Sequence, residues 1–254
     1  VEVLGQGTLG STLEAKAQFT LIEYKRPEKT TEGVEFTGSN AGKDILEVLN
    51  DPYKDIQSPN IFAVYKRNGT KGWGNAVVSF DGETDGGAQG WQLRQKASKI
   101  KTIAFTTRGQ SHTSPGSDNG TAVDSGGTDL EFDFLDGQFH ICSAFIANGN
   151  KSINLNGTSV YDHGESGDIA YQGSANNSPN GINQSAVGGR FENAEGHDAT
   201  PANGLLKGVI KEVIVLNDAT ASNVEKIEGY LAHKWSLESE LPSSHTYKNN
   251  PPTF

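Results

Sequence analysis

Short runs of alternating or β-branched residues, separated by turns rich in Gly, Asn and Asp, recur through most of this chain. They predict strands at 61–66, 76–80, 90–95, 100–107, 130–134, 139–147, 151–155 and 209–216. No strand–helix–strand alternation accompanies them, so the pattern is that of an all-β, antiparallel sandwich. One segment differs. After the run Val209 to Leu216, the residues Val224, Ile227, Leu231 and Trp235 recur at the helical period and form one apolar stripe. Ser222 with Glu225 reads as a capping box that opens this single C-terminal helix. The stripe is expected to pack on the sandwich and close it, with His233 and His245 as surface or packing residues.

Residues 44–60 read as a short helix or irregular loop that ends around Pro52 and Pro59. Residues 1–32 contain one alternating segment, Ala15 to Tyr24, and a charged turn. They are expected to add an edge strand or to form an arm that docks on a neighbouring domain or subunit. The main domain is placed at 33–254. Polar connections at 108–129 and 161–186 are long enough to be functional or mobile by their length alone.

Length changes this picture little: 254 residues suit one large sandwich with a well-buried core. With 34% apolar and 20% charged residues the balance is that of a strand-and-turn protein, not of a disordered chain. The net charge of −10 argues against general attraction to nucleic acid or an anionic membrane. No apolar run approaches the roughly 20 residues that span a bilayer, so membrane insertion is not expected. The one cysteine, Cys142, lies in an apolar strand and reads as a buried thiol. The lack of any Met fits a processed secreted protein or a domain cut from something larger. Six N-x-[ST] sequons occur, as an Asn-, Ser- and Thr-rich sequence generates by chance.

The C-terminal stretch, IKEVIVLN at 210–217 followed by KIEGYLAHKW at 226–235 and LPSSHTY at 241–247, resembles the end of laminin-G-like, concanavalin-A-like jelly-roll domains of marine and environmental bacteria. Other segments agree: GVEFTGSN at 33–40, GWQLRQ at 90–95, IAFTTRG at 103–109, FHICSAF with KSINLNGT between 139 and 158, and VGGR at 187–190. The resemblance covers residues 33–248. It implies a jelly roll on a secreted or cell-surface protein, a fold that hosts lectins, carbohydrate-binding modules, adhesion domains, hydrolases and lyases. It also implies calcium near one rim of the sandwich.

Strand alternation supplies the main site expectation. If Leu93 and Phe105 point into the core, Gln92, Arg94, Thr106 and Arg108 share the opposite face of adjacent strands. Two guanidiniums so close call for an anion between them. That anion is either a carboxylate of this acidic chain or the carboxylate, sulfate or hydroxyl groups of a glycan. Arg190, ending VGGR, and Tyr65, on the outward parity of its strand, are expected to join them. Trp73, between glycines in KGWGN, is the candidate exposed platform for a sugar ring, while Trp91 and Trp235 read as core.

Asp81, Glu83 and Asp85, followed by Gly86, match the opening of an acidic calcium loop, although Gln92 stands where the closing Glu belongs. Asp162, Glu165 and Asp168 form a weaker second cluster. Glu131, Asp133 and Asp136 in LEFDFLD resemble the paired acids of concanavalin-A-like glucanases, which act as nucleophile and acid/base. Alternation that places Glu131 and Asp133 outward is also what any half-exposed strand shows. The leading expectation is a non-catalytic, extracellular carbohydrate-binding or adhesion domain that recognises a polysaccharide. The alternatives are a glycoside hydrolase using the 131–136 acids, and a structural surface, virion or filament subunit.

Overall fold

The computed structural model describes residues 2–4, 12–13, 15–17, 27–38, 44–48, 59–69, 76–84, 87–94, 103–108, 121–124, 136–147, 150–163, 184–189, 205–217 and 220–253. The early strands are β1 (Glu2–Leu4), β2 (Thr12–Leu13), β3 (Ala15–Ala17), β4 (Glu28–Lys29), β5 (Val34–Thr37) and β6 (Leu46–Val48). The middle of the chain supplies β7 (Pro59–Arg67), β8 (Ala76–Thr84), β9 (Gly87–Arg94), β10 (Ala104–Arg108) and β11 (Thr121–Asp124). Then come β12 (His140–Ala147), β13 (Asn150–Leu155), β14 (Thr158–His163), β15 (Gln184–Val187), β16 (Lys207–Asn217) and the helix α1 (Ala221–Trp235).

Two sheets form. The first runs β14–β13–β12–β7–β16–β1–β2, with β5 also on β16 and β4 on β5; the second runs β11–β10–β9–β8–β15–β6–β3. Among the described strands only β1, parallel to β16, departs from antiparallel pairing. The N-terminal strands thus pair within their own sandwich, β1 on β16 and β3 on β6.

The main core lies between the sheets. Ile61, Ala63, Tyr65, Cys142, Ala144, Ile210 and Val213 of the first sheet meet Val78, Trp91, Leu93, Phe105 and Val187 of the second. The other face of the first sheet is apolar as well: Phe62, Val64, Ile141 and Ile214 pack under Val224, Ile227 and Leu231 of α1. This is why β7 reads as an unbroken apolar run. Being covered on both faces, it has no polar side to alternate with. Burial of each stripe residue is worth roughly 1.5–3 kcal/mol, enough to hold a helix that would be marginal alone.

Four expectations need correction. Residues 46–48 pair as a strand with β15 and β3, so the segment 44–60 is not helical there. The helix is capped by Thr220, in the extended region at φ −80° and ψ 157°, which accepts the Asn223 N–H at 3.4 Å. Ser222 therefore sits inside the first turn, and the Glu225 carboxylate accepts the Thr246 N–H instead, at 2.9 Å. Tyr65 faces the inter-sheet core and not the outside. β8 continues as a paired strand through Thr84, where a loop had been expected. The expected strand at 130–134 lies outside the described residues.

Two turns explain the local sequence. Asn156 (φ 49°) and Gly157 (φ 75°) join β13 to β14, both in the left-handed region that a tight two-residue hairpin connection requires. Gly188 has φ 81°, and a Cβ there would lie 2.0 Å from the Phe36 ring, so the VGG turn accepts only glycine at that position.

Candidate functional site

The β9–β10 ladder pairs Leu93 with Phe105, Gln92 with Thr106, and Arg94 with Ala104. Leu93 and Phe105 are fully buried in the inter-sheet core. Gln92 and Arg94 therefore emerge on the opposite face of the second sheet, as alternation requires. On its other side, Arg94 is in register with Ala76 and Gln92 with Ser79. Arg94 thus stands between two alanines, Ala76 and Ala104, in the sheet.

This face is not an open platform, however. Gln92 is 6% exposed and Arg94 7% exposed, so both are enclosed polar groups. The expectation of freely accessible donors is corrected: both side chains are enclosed and already engaged within the chain.

Sequence reasoning missed Ser79. Its hydroxyl donates to the Gly189 carbonyl at 3.0 Å, and its backbone lies in the row Ala186–Ser79–Gln92–Thr106. The Gly188 N–H donates to Val77 O at 2.8 Å, and Leu206 N–H to Gly188 O at 2.9 Å. Together these bonds tie the VGG turn to the second sheet. Arg190 follows that turn directly in the chain and itself lies outside the described residues. A lone serine in an apolar strand carries no signal that would have marked this role.

The other expected residues divide as follows. Thr106 and Arg108 are in β10, in register with Gln92 and Gly90. Trp73 lies outside the described residues. Tyr65 belongs to the core, where burial raises its phenol well above the ordinary value, helped by Cys142 and opposed by Arg67. It is a neutral packing group and not a ligand contact. Cys142 is buried too, and burial together with Glu228 pushes its thiol far up, so no nucleophilic thiolate forms.

Asp81 and Glu83 lie in β8, in register with Gly90 and Ala88, and the ladder continues to Thr84 opposite Gly87. Asp85 and Gly86, the two residues between, lie outside the described residues. A calcium loop wraps irregular backbone around the ion so that several oxygens converge. The extended, paired backbone at 81–84 does not do so, and this segment does not fit such a loop. Asp162 is in β14, while Glu165 and Asp168 lie outside the described residues. Among the described residues no group of three His, Cys, Asp or Glu side chains converges as a metal site would require.

Glu131 and Asp133 lie outside the described residues. Asp136 is an exposed turn residue before β12. It accepts the Gln138 N–H at 2.8 Å and faces His140 Nε2 with both oxygens at 3.1 Å. On the other side of that ring, Asn156 Nδ2 donates to His140 Nδ1 at 3.1 Å. Asp136 thus orients a histidine that fastens the Asn156 turn to β12.

No family model matches the chain, and no curated protein matches it. Solved structures do. The CBM40 module of the Ruminococcus gnavus IT-sialidase superposes with a TM-score of 0.50 at 11% identity, covering 77% of this chain and 92% of that one. Domains LG4-5 of the mouse laminin alpha1 chain match with a TM-score of 0.45 at 10% identity, over 78% of this chain and 46% of theirs. A Trypanosoma rangeli sialidase matches with a TM-score of 0.48 at 13% identity, over 82% of this chain and 28% of its own. Among the described residues no helix is long and apolar enough to cross a membrane. At such identities the likeness speaks of the fold alone, and that fold is a two-sheeted jelly-roll β-sandwich with one C-terminal helix.

Proposed function

We propose that this domain is a non-catalytic carbohydrate-binding module of an extracellular protein, and that it grips an acidic or hydroxyl-rich glycan through the outer face of β9 and β10. The observation that carries this reading is the Ser79–Gly189 bond, which ties the turn preceding Arg190 to the row that holds Gln92, two residue pairs from Arg94 on the same face. Arg94 stands opposite Ala104 and Arg108 opposite Gly90, four residues apart along the ladder, so the expected close pair of guanidiniums is corrected to two separate donors on one face. Each suits a carboxylate or sulfate group of its own along an extended glycan, since such a group accepts two parallel N–H bonds from a guanidinium. A sandwich of the same fold that spans 92% of a sialidase's carbohydrate-binding module supports a stand-alone binding unit. Asp136, occupied by His140 and Gln138, supports binding over hydrolysis. The pairing of β1 and β3 within their own sandwich weighs against an arm reserved for a neighbouring subunit.

The test is an array of neutral, uronate, sulfated and sialylated glycans, run beside a reducing-sugar assay. Acidic glycans are expected to bind with no release of reducing ends. Arg94→Ala and Arg108→Ala should each weaken binding roughly tenfold or more, the worth of one charge-assisted hydrogen bond. Turnover of any bound glycan, or affinity unchanged in both variants, would overturn the reading.

A further inference from the structure

On the opposite side of the molecule, a cleft of about 230 Å³ opens between α1, β12, β13 and the segment after the helix. Phe145 and Pro242 give it apolar walls, Asn154 and Ser244 line its polar side, and Glu228 and His245 complete it. The Glu228 and His245 side chains are each only 2% exposed. One comes from the middle of the helix, the other from the chain returning beneath it.

The proton arrangement of this pair is fixed by its neighbours. His245 Nδ1 accepts the Tyr247 N–H at 3.2 Å, so the ring proton is on Nε2. Nε2 lies 3.6 Å from Glu228 Oε2, beyond hydrogen-bond reach, and finds no acceptor among the described residues. Glu228 Oε1 accepts from Asn154 Nδ2 at 2.9 Å, which leaves Oε2 as the oxygen turned to the imidazole. A donor and an acceptor thus face each other, slightly too far apart to satisfy one another. A buried donor in that state costs about 1–3 kcal/mol, which favours a group that accepts from Nε2 while it donates to Oε2.

The chemistry of that group follows. A hydroxyl accepts from Nε2–H and donates to the carboxylate at once. A carboxylate or phosphate would meet Glu228 as a like charge, with Glu225 at the same cleft adding to the repulsion. An ammonium has no lone pair for the imidazole proton. The volume exceeds the share of a single water, about 30 Å³ in the liquid, several times over. An aromatic ring and a proline on the walls suit the C–H faces of a compact polyol.

We propose that this cleft binds a small uncharged polyol or a single sugar residue, with one hydroxyl engaged by Glu228 and His245. It is a site on the first sheet, separate from the β9–β10 face, and it does not depend on that reading.

The experiment is an NMR titration of the His245 imidazole in the intact protein. The probes are glycerol and the methyl glycosides of glucose, galactose and mannose, with acetate and methylammonium as charged controls. At least one hydroxylated probe should shift the His245 signals saturably, and neither control should do so. Ser244→Trp, which narrows the cleft at an exposed residue without touching the buried pair, should weaken that probe about tenfold or more. Glu228→Gln should do the same in a protein whose circular dichroism is unchanged. No saturable shift from any hydroxylated probe, an equal response to acetate or methylammonium, or undiminished binding in Ser244→Trp would each overturn the proposal. The glycan array with Arg94→Ala reads the other sheet, so either proposal can fail while the other stands.

Discussion

Leu93 lies directly opposite Phe105 across the β9–β10 ladder, and both side chains are wholly enclosed between the sheets. That pair fixes the phase of two strands: with these residues inside, Gln92 and Arg94 have no choice but the other face. Phe105→Ala removes a ring from a close-packed layer and should cost about 3–5 kcal/mol. Chemical denaturation followed by tryptophan fluorescence measures it, since Trp91 sits in the same core. A loss below about 1 kcal/mol would mean that the layer collapses around the missing ring, or that Phe105 is not where the ladder puts it.

Glu212 anchors the end of the helix from inside the sheet. It is fully buried on β16, where Trp235 Nε1 donates to Oε2 at 2.6 Å and Lys234 Nζ to Oε1 at 3.0 Å. Glu212→Ala removes the acceptor of a half-buried indole N–H and of an exposed lysine at once, and should cost about 1–3 kcal/mol. Glu212→Gln keeps an acceptor and should cost distinctly less. Equal losses for both variants, measured by urea unfolding, would show that the negative charge of Glu212, and not an acceptor or the volume of its side chain, is what matters.

Where that glutamate points could not be read from the run Val209 to Leu216. Ile210 pairs with Tyr65 and Glu212 with Val64, so Lys211 is an extra, unpaired residue in β16. The bulge shifts the phase by one. Ile210 and Val213 then both face the inter-sheet core, while Glu212 turns toward the helix. In sequence this is a glutamate in an apolar strand and nothing more. Tyr65 was misplaced for a related reason: with Phe62 and Val64 covered by α1, both faces of β7 are apolar and parity gives no direction. The α1 stripe and the Leu93–Phe105 pairing were legible because each has a polar side for contrast. The approach of His245 to Glu228 depends on how the tail folds back, which no local periodicity encodes.

Acid should loosen the tail. The Thr246 N–H holds the Glu225 carboxyl below its ordinary value, against the opposing effect of partial burial, with His245 contributing to the lowering. A depressed folded value stabilises above the unfolded value and is lost as pH falls through the folded one. Stability should therefore decline on the acid side of the ordinary carboxylate range, and hydrogen exchange at the Thr246 amide should quicken there. Glu225→Gln keeps an oxygen for that N–H but does not titrate, so it should remove this part of the acid dependence. An identical pH profile in the variant would assign the loss to other carboxylates.

The lysine left at the bulge should be unusually reactive. Lys211 Nζ stands 4.1 Å from the centre of the Phe139 ring and 5.2 Å from that of Trp235. Partial burial lowers its ammonium below the ordinary lysine value, Glu32 pulls it back, and Lys66 adds to the lowering. Lys66 itself is engaged by Glu32 at 2.8 Å, which spends much of that carboxylate's charge elsewhere. The ring faces favour the charged form by about 0.5–1 kcal/mol, so burial and ring contact act in opposite directions on this amine. With burial the larger, Lys211 should acylate at a lower pH than free Nα-acetyl-lysine, as read by mass spectrometry after a pulse of an amine-reactive ester across a pH series. Phe139→Ala opens the site to water and should move the midpoint up. A downward movement would show instead that the rings, and not the loss of water, govern the charge of Lys211.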